Sequence, residues 1–102
     1  MRYKLSRQAE EDLIEIFIHG VEEFGIEQAE HYHASFERQF RMLSENPRMG
    51  RERNEIEPPV RILPALSHII IYLIDEEGGV FIIRVRHMRE DWEGQESSFQ
   101  PE

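Results

Sequence analysis

No cysteine occurs among the 102 residues, which excludes disulfides, thiolate metal ligands and a cysteine nucleophile, and removes any tie to an oxidising compartment. Long apolar runs are missing as well. The longest, Ile69 to Ile74, is far too short to cross a bilayer, and the opening Met1-Arg2-Tyr3-Lys4-Leu5-Ser6 has no apolar signal core. Residence in the cytoplasm is the expectation. Lysine is nearly absent: of 12 cationic side chains only Lys4 is a lysine. The arginine fork that replaces it suits defined carboxylate or phosphate pairing better than loose charge contact. Net positive charge is absent too, since 21 acids against 12 bases leave −9, which opposes nonspecific coating of nucleic acid.

The charge is unevenly spread. Residues 1 to 37 hold 9 acids and 3 bases, whereas residues 38 to 61 hold 6 arginines and 4 glutamates, so a local basic strip is compatible with an acidic chain. The length is that of one domain able to bury roughly two-thirds of its unfolded surface. We expect a single domain over residues 1–93 and a polar tail over 94–102 that orders only when a partner holds it.

Residues 2 to 5 alternate charged and apolar side chains, the period of a short strand. Ser6 then offers an oxygen to cap a helix whose first turn holds Glu10 and Glu11. Ala9, Leu13, Phe17, Val21 and Phe24 recur every three or four residues, predicting a helix from about Arg7 to Phe24 that Gly25 stops. A second stripe, Ala29, Tyr32, Phe36, Phe40 and Leu43, ends at Asn46-Pro47, where proline forbids continuation. Two helices so closely joined form an antiparallel hairpin. Residues 47 to 59, with Pro47, Gly50, Pro58 and Pro59 among arginines and glutamates, read as an irregular loop. The period then becomes two over Val60–Leu66, His68–Ile74 and Val80–His87, with Asp75 to Gly79 as the turn between the last pair. The fold class is α+β: β-α-α-β-β-β, a helical hairpin on one face of a small antiparallel sheet.

Strict alternation on the last strand sets Phe81, Ile83 and Val85 on one face and Ile82, Arg84 and Arg86 on the other. Two arginines are not both buried unpaired on such a strand, so Arg84 and Arg86 are expected on the open face beside Arg61 and Tyr72, forming a docking surface. Trp92 follows the last strand in a polar segment and either packs back over the sheet edge or anchors a partner. His31 and His33, two apart on a helix, do not face each other and make no metal site. The acids at Glu10 to Asp12 and at Glu76-Glu77 sit where solvated carboxylates are ordinary.

Four segments in this order carry a family resemblance: Leu5 to Leu13 (LSRQAEEDL), Leu43 to Arg51 (LSENPRMGR), Val60-Arg61 with Ser67 to Tyr72 (SHIIIY), and Ile83 to Trp92 (IRVRHMREDW). Over Tyr3 to about Trp92 the chain resembles ParE toxins of the RelE/ParE superfamily. The resemblance implies a toxin that acts on DNA gyrase and blocks replication by binding rather than catalysis, with no cofactor or metal. It also implies a ParD-like antitoxin that folds over the toxin and forms a hetero-oligomer with it. The strand alternation and the position of Trp92, not the resemblance, make Arg61, Tyr72, Arg84, Arg86 and Trp92 the residues expected at the antitoxin or target surface. Within the same superfamily stands the RelE-like ribosome-dependent messenger RNA endonuclease, for which Arg61, Arg84 and His87 would stabilise phosphate and move protons. The acidic balance and the near absence of lysine oppose that reading, while His87 near the end of the last strand keeps it open; otherwise His87 is a strand-end histidine bonded to a backbone carbonyl.

Overall fold

The computed structural model describes residues 3–54 and 59–88. The elements run β1 (Tyr3–Leu5), α1 (Arg7–Phe24), α2 (Ile26–Glu45), β2 (Arg51–Arg53), β3 (Val60–Ala65), β4 (His68–Ile74) and β5 (Val80–His87). Trp92 and the expected tail at 94–102 lie outside the described residues.

Local chemistry accounts for the element ends. The Ser6 oxygen accepts the Ala9 N–H at 2.9 Å and donates to the Ile83 carbonyl at 2.7 Å, so one hydroxyl caps α1 and ties its start to β5. Gly25 alone separates the helices; its φ of +93° suits a residue without Cβ. In the β4–β5 turn the Asp75 carboxylate accepts the N–H groups of Glu77 and Gly79.

The strand order is β1-β5-β4-β3-β2. Neighbours are antiparallel except at β1, which runs parallel to β5 with Tyr3 opposite Val80 and Leu5 opposite Ile82. The sheet is therefore mixed, where the alternation of residues had suggested an antiparallel one. Periodicity reports which face a side chain takes and says nothing of strand direction, and the long helical excursion after β1 gives the chain room to return alongside it. The 47–59 loop contains β2, whose Arg51, Glu52 and Arg53 pair with Ile62, Arg61 and Val60. An all-charged strand has no apolar alternation to read, and charge of this kind suits a sheet edge.

The main core joins Ala9 and Leu13 of α1 and Phe36, Phe40 and Leu43 of α2 to Ile70, Tyr72, Val80, Ile82 and Val85 of the sheet. Val60, Ile69, Ile71 and Ile83 form a separate cluster, which Ile62, Leu73 and Phe81 join. The N-terminal part of α1 meets the main core: its buried residues are Ala9, Asp12 and Leu13, and Ile16 packs against the core half-buried. Phe17 and Val21 are half-buried and Phe24 is exposed, so the stripe expected to run the full length of the helix packs at one end only. Beyond it the hairpin overhangs the sheet, and the close approach of Gly20 to Ala29 holds its two helices together.

Candidate functional site

The four described residues expected to share one open face fall into two groups at separate corners of the sheet. The cause is a β-bulge. Tyr72 lies opposite Ile82 and Ile71 opposite Arg84, which leaves Ile83 without a register partner. The extra residue reverses the alternation along β5. Ile82 and Val85 both enter the core beneath the helices, and Ile83 and Phe81 join the other cluster.

Arg61 and Tyr72, directly opposed on β3 and β4, lie at the corner under the end of α2. The Tyr72 ring is completely buried. Its hydroxyl donates to the Pro47 carbonyl at 2.7 Å and accepts the Gly50 N–H at 2.8 Å, while the Arg61 guanidinium donates to the Gly50 carbonyl at 2.8 Å and lies 3.8 Å from Glu52. These two side chains thus fasten the turn that leaves α2. A Cβ on Gly50 would stand 2.6 Å from the Tyr72 oxygen, so no other residue fits there without displacement. Burial pushes the Tyr72 phenol above its ordinary value of 10.0, opposed more weakly by the Gly50 N–H and the Arg61 charge. Tyr72 belongs to the core and not to the open face.

Arg84 and Arg86 turn around the edge of β5 where β1 has ended. The Arg84 Nε and Nη2 donate to the two Asp12 oxygens at 2.8 and 3.0 Å, and Arg86 Nη1 lies 3.7 Å from the same carboxylate. Asp12 also accepts the Val85 backbone N–H at 3.0 Å. A nearly buried carboxylate thereby finishes the strand edge in place of a further strand. Read as part of the acidic first turn of α1, Asp12 looked like a solvated residue. What sets it apart is its place one position before Leu13, on the side of the helix that meets β5.

Between α1, α2 and the end of β4–β5 opens a cleft of about 510 Å³, floored by Leu13, Phe17, Tyr32, Phe36 and Val85 and edged by Arg86, His68 and His87. His87 packs edge-to-face on His68, its cross-strand partner, with ring centroids 5.1 Å apart. The Tyr32 hydroxyl sits within hydrogen-bond reach of His68 Nδ1, at 2.8 Å, and accepts the Ser67 N–H at 3.2 Å. Histidine and aromatic spacing gave no sign of this cluster, because strand pairing brings His68 to His87 and the α2 register brings Tyr32 to both. The nuclease set of Arg61, Arg84 and His87 is not assembled: Arg61 fastens the turn after α2, Arg84 is engaged with Asp12 around the strand edge, and His87 lines the cleft. Among the described residues no group of three or more histidine and acidic side chains is placed to hold a metal, and no helix is long and apolar enough to cross a membrane.

A helical hairpin on a five-stranded mixed sheet, with an apolar cleft open beneath the hairpin, defines a small α+β module of the RelE/ParE type. The family model for the ParE toxin of the parDE type II toxin-antitoxin system matches residues 3–92, and the chain belongs to that family. It is 38% identical over 90 residues to Toxin ParE1 of Mycobacterium tuberculosis, a match spanning 88% of this chain and 92% of that protein. To Toxin ParE1 of Caulobacter vibrioides it is 33% identical over 85 residues, spanning 83% and 86%. Among solved structures it is similar to the chromosomal ParDE TA system from P. aeruginosa, with a TM-score of 0.73, 25% identity, and coverage of 85% of this chain and 95% of that one.

Proposed function

We propose that this ParE toxin arrests growth by binding DNA gyrase and blocking replication, that it acts without catalysing a reaction, and that a ParD-like antitoxin neutralises it in the cytoplasm as a hetero-oligomer. Membership of the ParE family over residues 3–92 is the observation that carries the reading. The geometry supports binding rather than cleavage in one respect: the arginines that a nuclease would direct at phosphate are committed to Asp12 and to a backbone turn.

The antitoxin segment has its best seat in the cleft, where apolar side chains lie open between two helices and a strand end. Of the residues expected at the binding surface, Arg86 lines this cleft and Arg84 steadies its edge through Asp12. Arg61 and Tyr72 act at a distance, by holding the turn after α2. Purified toxin mixed with gyrase and relaxed plasmid is expected to stop supercoiling and, on detergent treatment, to yield linear plasmid. Undisturbed supercoiling together with site-specific message cleavage in a translation extract, lost in His87→Ala, would overturn the gyrase reading in favour of the endonuclease.

A further inference from the structure

The overhang of the helical hairpin has an outer side that the cleft does not use. Ile14 and Ile18 stand one helical turn apart there, 58% and 52% exposed. Every residue from Glu22 to Gln28 at the tip is exposed, Phe24 and Ile26 among them. None of these four apolar side chains joins either hydrophobic cluster. Phe24 also lines the cleft, but Ile14, Ile18 and Ile26 do not; single exposed apolar residues are ordinary, whereas three on one projecting element are a contact surface without its partner.

The charge around them is of one sign. From Gln8 to Glu37 the chain contains no lysine or arginine. The helix-surface neighbours of Ile14 and Ile18 at three and four residues' spacing include Glu10, Glu11, Glu15 and Glu22, all exposed. Glu23, Glu27 and Glu30 continue the acidic border around the tip. A second copy laying the same surface against this one would oppose carboxylate to carboxylate in either direction, which costs free energy in place of supplying it.

We infer that the outer side of the hairpin overhang, with Ile14 and Ile18 at its centre, is a docking surface for a basic amphipathic helix of a partner protein. Apolar side chains of that helix cover the isoleucines, and arginines or lysines on its flanks meet the glutamates. Ile14 and Ile18 do not line the cleft, although Glu15 and Phe24 beside them do, so a helix centred on the two isoleucines leaves the floor of the cleft open. The assignment rests on charge and exposure in this chain and stands whether or not gyrase is the target.

The test uses the whole toxin and a labelled 18-residue synthetic peptide with leucines at helical i, i+3, i+4, i+7 spacing and arginines elsewhere, followed by fluorescence anisotropy and ¹⁵N chemical shifts. Shift changes are expected at residues 11 to 26. Ile14→Ser with Ile18→Ser, which leaves the charge untouched, is expected to lower affinity about tenfold or more, as loss of two apolar contacts should. Glu22→Gln with Glu23→Gln is expected to weaken binding and flatten its salt dependence, while Glu76→Gln in the remote β4–β5 turn changes neither. Equal binding by the isoleucine variant, shown folded by circular dichroism, would overturn the assignment. An equal loss from Glu76→Gln would do the same, because the peptide would then be reading only net charge. A concentration-dependent toxin dimer that Ile18→Ser abolishes would give the surface to a second copy instead.

Discussion

Two corners of one small sheet each hold an arginine, and the two are held in different ways. At the β5 edge Arg84 meets a carboxylate, Asp12, that is itself almost buried and also receives a backbone N–H. At the corner after α2, Arg61 meets backbone carbonyls in a turn that Tyr72 fastens from below. In the first corner charge is matched to charge away from water, so removing one partner strands the other. In the second, neutral dipoles share the load and the arginine keeps a partly solvated, distant glutamate. Their common appearance as outward cations on alternating strands therefore conceals unequal contributions to stability.

The largest effect is expected at the first corner. Asp12→Ala takes the two-pronged acceptor from Arg84 and the acceptor from the Val85 N–H, and removing one member of a buried pair costs about 3–5 kcal/mol. That is a large share of a small domain's stability. Urea unfolding followed by circular dichroism should show a midpoint far below that of the parent. A shift smaller than that of any substitution at the second corner would reverse the comparison.

At the second corner, Tyr72→Phe removes a donor to Pro47 and leaves the buried Gly50 N–H without its acceptor, an expected cost of about 1–3 kcal/mol. The same residue sharpens the contrast through pH. Its folded pKa lies above the unfolded value of 10.0, so the folded state keeps a proton that the unfolded chain gives up. Stability from this group is fully present below about pH 10 and is lost as pH rises through the folded value. The difference in unfolding free energy between parent and Tyr72→Phe should be level through neutral pH and shrink above it. A difference that grows with alkalinity would mean that the phenol is not held protonated.

A smaller loss is expected from Ser6→Ala, about 0.5–2 kcal/mol, because the hydroxyl caps α1 and also ties it to the Ile83 carbonyl. This variant connects to the first corner. Ser6 fastens the bulge that turns Arg84 toward Asp12, so combining it with Asp12→Ala should give less than the sum of the two losses. Strict additivity would separate the bulge from the ion pair.

The helices and the last three strands were legible in the residues because each is rich in apolar side chains at a recognisable spacing, and Arg7 to Phe24 agrees with the observed α1. Strand direction at β1 and the existence of β2 were not, since neither leaves a trace in periodicity. The site departs from the alternation in two places, at the β5 bulge and at Tyr72. Counting by two through Ile83 carries Arg84 to the face of Ile82, and the bulge at that position undoes every parity beyond it. Tyr72 was misplaced for a related reason: a tyrosine in an apolar run between His68 and Ile74 shows its hydroxyl in the sequence, and the Pro47 and Gly50 partners that allow its burial lie more than twenty residues away.

The smallest effect separates the anchored base of the hairpin from its overhang. Leu13 and Asp12, near the base, are buried, while Ile18, less than two turns further along the same helix, is 52% exposed. Ile18→Ser should therefore change stability by no more than about 0.5 kcal/mol, the range for surface positions, with the small loss in helix propensity as its main component. Thermal unfolding checks this directly. A loss of the size expected for a core truncation would show that the overhang is packed against the rest of the fold. The exposed isoleucines would then be serving stability, and their availability to a partner would lose its physical basis.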